Sequence, residues 1–256
     1  MQALTLPASR GWRWLTDGFA IFRRKPFQLS VLVLGYWLAM ALINAVPFIG
    51  QLLGFILIPA FSVSLMNACR AVDQGVEAPQ PVLFSGFHAH LQALIQLGGV
   101  YCVFSIVVLG VTTLIDGGVL FQLVVLGQPP GEEAMASGSV MAAGQLALFL
   151  LLPIMMANWF APVLVAWHGL PVVKSLFFSF IACLRNWRAF FVYTVAVIVV
   201  GALVPGFVLG LLKPAGGGEL FSAAMTFFVI GVLLPTLYAS FYVSYRDVFV
   251  IIDENV

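Results

Sequence analysis

Apolar residues along this chain gather into six long runs separated by short polar stretches. The runs cover approximately Phe27–Val46, Gly50–Arg70, Leu91–Ile115, Met141–Val165, Phe190–Leu212 and Leu220–Tyr245. Each approaches the roughly 20 residues that a helix needs to cross about 30 Å of hydrocarbon. None has an ionised residue near its centre. The pattern predicts six transmembrane helices. The turn Pro47-Phe48-Ile49-Gly50 is so short that the first two must form a tight hairpin. The first run is too long for a signal-peptide core and lacks a small-residue cleavage site after it, so it is expected to be a true span.

The stretches leading into the odd-numbered runs carry a second pattern. Trp12, Leu15, Phe19 and Phe22 recur at helical spacing, with Arg13, Asp17 and Arg24 on another face. Before run five, Val173, Phe177, Phe180, Leu184 and Trp187 form an apolar stripe, while Lys174, Ser175, Ser179, Arg185 and Asn186 face away. Pro171 suits the first turn of that helix. A shorter version, Pro81 to His90, keeps Leu83, Phe84, Phe87 and Leu91. These read as amphipathic helices lying in the membrane interface.

Runs two, four and six share a further motif: Leu57-Ile58-Pro59, Leu151-Leu152-Pro153 and Leu233-Leu234-Pro235. Five residues on come Ser64, Asn158 and Ser240. Proline in mid-helix removes a hydrogen bond and clashes with the preceding turn, but membrane helices tolerate it where neighbours re-satisfy the freed carbonyl. The expected unit is an interfacial helix, a plain span and a proline-bearing span, repeated in parallel over residues 9–73, 79–168 and 171–249 of a single transmembrane domain, 1–256. At about 1.5 Å per residue the prolines fall near the midplane. Pro59, Ser64, Pro153, Asn158, Pro235 and Ser240 are therefore candidates for a polar ring, a binding site or constriction. The plainer alternative is a set of kinked helices whose hydroxyls and amides satisfy neighbouring backbone. The apolar piece Val119 to Leu126 is too short to span and reads as an external interfacial turn or re-entrant segment.

Composition agrees with the pattern: 62% of residues are hydrophobic, 8% are charged, and mean hydropathy is +1.09. A globular domain in water carries about 25% charged residues. This chain is expected to be an all-α integral membrane protein. Arg10, Arg13, Arg23, Arg24, Lys25, Arg70, Lys174, Arg185, Arg188 and Arg246 fall on one side of the six runs, and Lys213 alone on the other. That bias places both termini in the cytoplasm. Asp116, Glu132, Glu133 and Glu219 belong to the opposite side.

Candidate chemistry is sparse. Cys69, Cys102 and Cys183 read as small packing residues. His88, His90 and His168 lie near one interface, but His88 and His90 point to nearly opposite helix faces and make a poor metal pair. No phosphate loop, zinc motif or nucleophile–base arrangement is visible, so neither enzymatic activity nor a cofactor is expected, and no nucleic-acid partner. Arg13, Arg23, Arg24, Lys25, Lys174, Arg185 and Arg188 sit where anionic lipids attract juxtamembrane cations. They are the candidate contacts for the headgroups of cytoplasmic-leaflet lipids, or for another membrane protein.

Two stretches carry a family resemblance: Gly11-Trp12-Arg13-Trp14-Leu15-Thr16-Asp17-Gly18-Phe19 through Arg23-Arg24, and Trp167-His168-Gly169-Leu170 through Lys174-Ser175-Leu176-Phe177-Phe178-Ser179-Phe180 to Cys183-Leu184-Arg185-Asn186-Trp187-Arg188-Ala189-Phe190. They resemble inner-membrane proteins of proteobacteria, chiefly beta-proteobacteria. The overall plan is also similar to the membrane domain that precedes the catalytic domain of some glycerophosphodiester phosphodiesterases. The resemblance implies location and fold, and no activity; the phosphodiesterase's catalytic residues have no counterparts here. The leading expectation is a non-enzymatic inner-membrane component that binds lipid or a partner. The competing one is a channel or permease for a small neutral solute.

Overall fold

The structure, a computed structural model, describes residues 2–46, 49–77, 81–129, 131, 137–212 and 218–250. Six helices are long and apolar enough to cross a membrane: Pro26–Asn44, Ile49–Gln74, Leu91–Asp116, Ser139–His168, Trp187–Leu211 and Phe221–Val248, spans one to six below. Spans two, four and six run about a turn beyond the apolar pattern. Their tips hold Arg70, Trp167 and Arg246, which keep the helical path after hydropathy has fallen. Pro47 and Phe48 of the expected hairpin turn lie outside the described residues, as do Glu132, Glu133 and Lys213, while Ile49 and Gly50 already belong to span two. Gln2–Ala3 pairs antiparallel with Phe249–Val250, so the two ends of the described chain meet on one side.

The proline positions are handled in different ways. Pro59 and Pro153 sit inside continuous α-helix. Pro235 follows a π-helical turn, Val229–Leu233, a wider turn common at such interruptions. The carbonyl of Gly231, four residues before Pro235, accepts a 2.6 Å hydrogen bond from Ser30 Oγ of span one. A neighbouring hydroxyl thus satisfies the freed acceptor. Span five has its own proline, Pro205, after a π turn at Val199–Leu203. The expected alternation of plain and proline-bearing spans therefore fails at span five.

Span four breaks at Phe160, two residues before Pro162. Ser179 Oγ enters the break, donating to Met156 O at 2.7 Å and accepting the Phe160 N–H at 2.9 Å. A side chain inserted into the helical ladder is a standard cause of such a break.

The lead-in segments are helical, but their faces differ from the expectation. In helix Arg10–Arg24 the buried residues are Gly11, Trp14, Leu15, Gly18, Ile21 and Phe22. Trp12 and Phe19 of the expected stripe are exposed. In helix Val172–Arg185 the small polar face turns inward, burying Ser175, Ser179, Ala182 and Cys183, while Val173, Phe177 and Leu184 stand exposed. The physical reason is close packing. Small side chains let backbones approach, and large apolar ones have hydrocarbon as an alternative environment. The third segment is a 3-10 helix, Val82–His88.

Each lead-in rests on an even span. Val82–His88 packs on span two, Val172–Arg185 on span four, and Arg10–Arg24 on span six and the start of span five. Two glycines make the approach possible. A Cβ on Gly86 would lie 2.1 Å from Ala60 O, and one on Gly18 would lie 2.6 Å from Ser240 N. The main core gathers at this same end around Trp14, Phe22, Met66, Phe160 and Val243. On the far side, Asp116 ends span three and accepts the N–H groups of Gly118 and Leu120, at 2.9 and 2.6 Å. That cap starts the short helix Val119–Phe121, which continues as a π turn to Leu126 and packs between spans three and four.

Candidate functional site

The six residues of the expected polar ring are distributed by the structure, not gathered. Ser64 is fully buried; its Oγ donates to Ala60 O at 3.2 Å and accepts the Gly86 N–H at 2.9 Å. Ser240 is also fully buried, donating to Leu237 O at 2.7 Å and bonded to the Tyr193 hydroxyl at 2.6 Å. Ser64 thereby bonds the lead-in segment Val82–His88 to span two, while Ser240 bonds span six to span five. Pro153 is exposed on the outer surface, while Pro59 and Pro235 are buried. Of the six, Pro59 and Asn158 line the central cavity, and Asn158 Nδ2 already donates to Ile154 O at 3.0 Å.

That cavity, about 530 Å³, lies between spans two, four, five and six, with Tyr101 of span three at its wall. Its lining is mostly aliphatic and aromatic and contains no ionisable carboxylate, lysine, arginine or histidine. Trp159 forms part of it, in edge contact with Phe190 (5.6 Å) and Phe241 (5.2 Å). The cavity is not sealed: Met155 and Ile198 of its lining are exposed on the outer surface. Apolar cavities do not recruit water. Hydrocarbon is the filling that the surroundings offer.

The charged end is more ordered than a count of cations indicates. Asp73, at the tip of span two, accepts from Arg246 Nη1 at 2.8 Å, Tyr242 Oη at 3.2 Å and Arg24 Nη1 at 3.3 Å. Asp247 pairs with Arg10 and accepts from Trp14 Nε1 at 3.1 Å. Arg70 lies over the Trp167 ring at 4.8 Å, and Trp167 Nε1 donates to Asn67 Oδ1 at 2.8 Å. Arg24, one of the candidate lipid contacts, is thereby engaged within the protein. Arg13, Arg23, Lys25, Lys174, Arg185 and Arg188 are exposed and form no ion pair among the described residues. Arg23 lies over Phe19 at 5.3 Å and Arg188 over Trp187 at 5.5 Å, while Arg185 Nε reaches Thr5 Oγ1 at 3.2 Å.

Among the described residues, no group of three or more His, Cys, Asp or Glu side chains could hold a metal ion. His88 Nδ1 lies against Phe84 O and His168 Nε2 against the Tyr245 hydroxyl, so these rings are used locally. The three cysteines are free and buried. Burial pushes the Cys183 thiol up to about 12, with the Ser179 hydrogen bond pulling the other way. It is a packing group and not a nucleophile.

The distribution of basic residues does not reveal Asp73 and Asp247, which organise this end. The available signal was the proximity of each to an arginine at the end of an even span, Arg70-x-x-Asp73 and Arg246-Asp247. The cavity had no such signal, because Ser62, Tyr193, Thr194 and Tyr238 meet only through tertiary packing.

Fold and composition define a six-span α-helical membrane protein. The chain is 37% identical over 255 residues to a probable inner membrane protein of Burkholderia thailandensis, a beta-proteobacterium, covering 97% of this chain and 94% of the relative. It belongs to that inner-membrane protein family. No family model and no solved structure matches the chain, so the similarity to the phosphodiesterase membrane domain gains no support.

Proposed function

We propose that this protein is a non-enzymatic component of the inner membrane that engages anionic phospholipid headgroups through its basic end, with both termini in the cytoplasm. The observation that carries this reading is the set of exposed cations on one side, Arg13, Arg23, Lys25, Lys174, Arg185 and Arg188, free of carboxylate partners among the described residues. The side chains of Phe19 and Trp187 beneath two of them suit headgroup level, where aromatic rings sit. The orientation rests on the ten-to-one distribution of Lys and Arg, and the non-enzymatic part on the lack of a catalytic motif in the sequence. The threefold repeat is part of the same reading. It is supported by the way each lead-in segment rests on an even span, the first closing the circle on span six. The rim could equally seat an acidic membrane partner, but headgroups are always present at this level.

The channel or permease reading retains the cavity but lacks the polar ring that motivated it, since Ser64 and Ser240 are already hydrogen-bonded elsewhere. Charge reversal separates the proposals. At about 1 kcal/mol per basic residue near an anionic surface, Arg23→Glu, Arg185→Glu and Arg188→Glu together should cut retention of phosphatidylglycerol or cardiolipin by on the order of a hundredfold. Lipid co-purifying with the detergent-extracted protein is the readout. Unchanged retention in a folded triple variant rejects the reading. Arg24 is left intact because it holds Asp73.

A further inference from the structure

We infer that the cavity between spans two, four, five and six is a binding site for one acyl chain of a membrane phospholipid, entered sideways between spans four and five. The inference deepens the lipid reading, yet the chain site stands on its own geometry. The first observation is the mouth. Met155 on span four and Ile198 on span five both line the cavity, and they are 47% and 49% exposed. Thr194, also exposed, lies on the same edge. Toward the basic end the gap is closed by the edge contact of Trp159 with Phe190.

Size and chemistry select the occupant. At about 530 Å³ the cavity falls in the range of single-ligand sites, about 300–1,000 Å³, room enough for an acyl chain. The lining has no carboxylate, Lys, Arg or His to recognise a charged solute, and its amide, Asn158, donates to its own helix. Charge complementarity supplies the rest. Tyr193, at the basic end of the lining, follows Arg188 by five residues, an axial rise of about 7.5 Å. A chain seated in the cavity therefore brings its phosphate to the level of Arg188.

The test uses the full chain in vesicles of phosphatidylethanolamine and phosphatidylglycerol, with phosphatidylglycerol bearing a photoactivatable diazirine on one acyl chain. Adducts should concentrate on the segments around Asn158 and Val197, several-fold above those on Leu148 and Phe149, which face outward at 71% and 74% exposure. Thr194→Trp, at the mouth, should abolish that excess and leave the Leu148–Phe149 adducts unchanged. Val197→Phe, inside, should do the same. Adducts that simply follow exposure in the native protein overturn the site, whether or not either variant folds. A purified protein carrying a non-phospholipid hydrophobe there overturns the identity of the occupant. Repeating the labelling with the triple arginine reversal separates the two readings. Cavity adducts that persist while headgroup preference is unchanged sink only the basic-rim reading, and loss of the cavity excess in native protein sinks only this one.

Discussion

Gly18 offers the sharpest test of how the lead-in helix is seated. An alanine there would place its Cβ 2.6 Å from Ser240 N, 2.7 Å from Ser240 Cα and 2.8 Å from Ser240 Cβ. Two of those atoms are backbone, so no rotamer change relieves the clash. Helix Arg10–Arg24 would have to move away from span six by roughly an ångström, loosening Trp14, which is fully buried, and disturbing the Ser240–Tyr193 bond. Overpacking of this kind costs about 1–3 kcal/mol. Gly99→Ala is the matched control, since nothing lies within 4 Å of its added Cβ. In mid-helix, alanine is favoured over glycine by about 0.5–1 kcal/mol. The buried cysteines provide the assay: thermal unfolding in detergent, followed with a thiol-reactive dye that reports Cys69, Cys102 and Cys183 as they become accessible. Gly18→Ala should unfold at lower temperature than the native protein, and Gly99→Ala at the same or higher temperature. Equal midpoints for the two variants would refute the close packing of the lead-in on span six.

Asp73→Asn keeps the shape of the residue but removes the charge that Arg24, Arg246 and Tyr242 share. Because the arginines are half exposed, a loss of about 1–2 kcal/mol is expected in the same thermal assay, and high salt should shrink the difference. Ser30→Ala strips the Gly231 carbonyl of its partner. Interhelical bonds of this type are worth about 0.6 kcal/mol and at most 1.7, so a small but measurable loss of stability is expected, and none would mean that the π turn satisfies itself. The Cys183 thiol, held up near 12 by burial, should resist maleimide from pH 7 to 9 in folded protein. Its rate should rise tenfold per pH unit only in step with thiolate formation, and rapid labelling at pH 7 would contradict its burial.

The membrane architecture was legible because hydrocarbon imposes a simple requirement. A long run without charge is either a span or an unpaired polar backbone in oil, and the six runs match six helices to within about a turn. The ends were less legible, because the signal used was hydropathy, which falls before the helix does. Trp167, beyond the apolar part of span four, packs on Tyr245 at the end of the apolar part of span six, in edge contact at 5.1 Å. The short apolar piece after Asp116 is too short to span and belongs to none of the six membrane-crossing helices. Its helical state depends on an Asp116 carboxylate that caps it, a signal present in the sequence as Asp-Gly-Gly.

Amphipathic faces misled for a physical reason that applies to interfacial helices in general. In water, the apolar stripe of a helix faces the protein because nothing else will take it. Against a bilayer, Phe177 and Leu184 have hydrocarbon to face, so the inward place goes to whatever permits the closest backbone approach. Ser175, Ser179 and Ala182 win it, and Ser179 then supplies the hydroxyl that mends the break at Phe160. The same competition explains the fate of the expected ring. Ser64 bonds the Gly86 N–H of a lead-in, and Ser240 bonds Tyr193 of span five while its backbone lies against Gly18. At the third position the serine sits on the lead-in itself, as Ser179. The surfaces left around the centre are mostly aliphatic and aromatic, and the cavity there is one that we propose a lipid chain, rather than a solvated solute, is suited to fill.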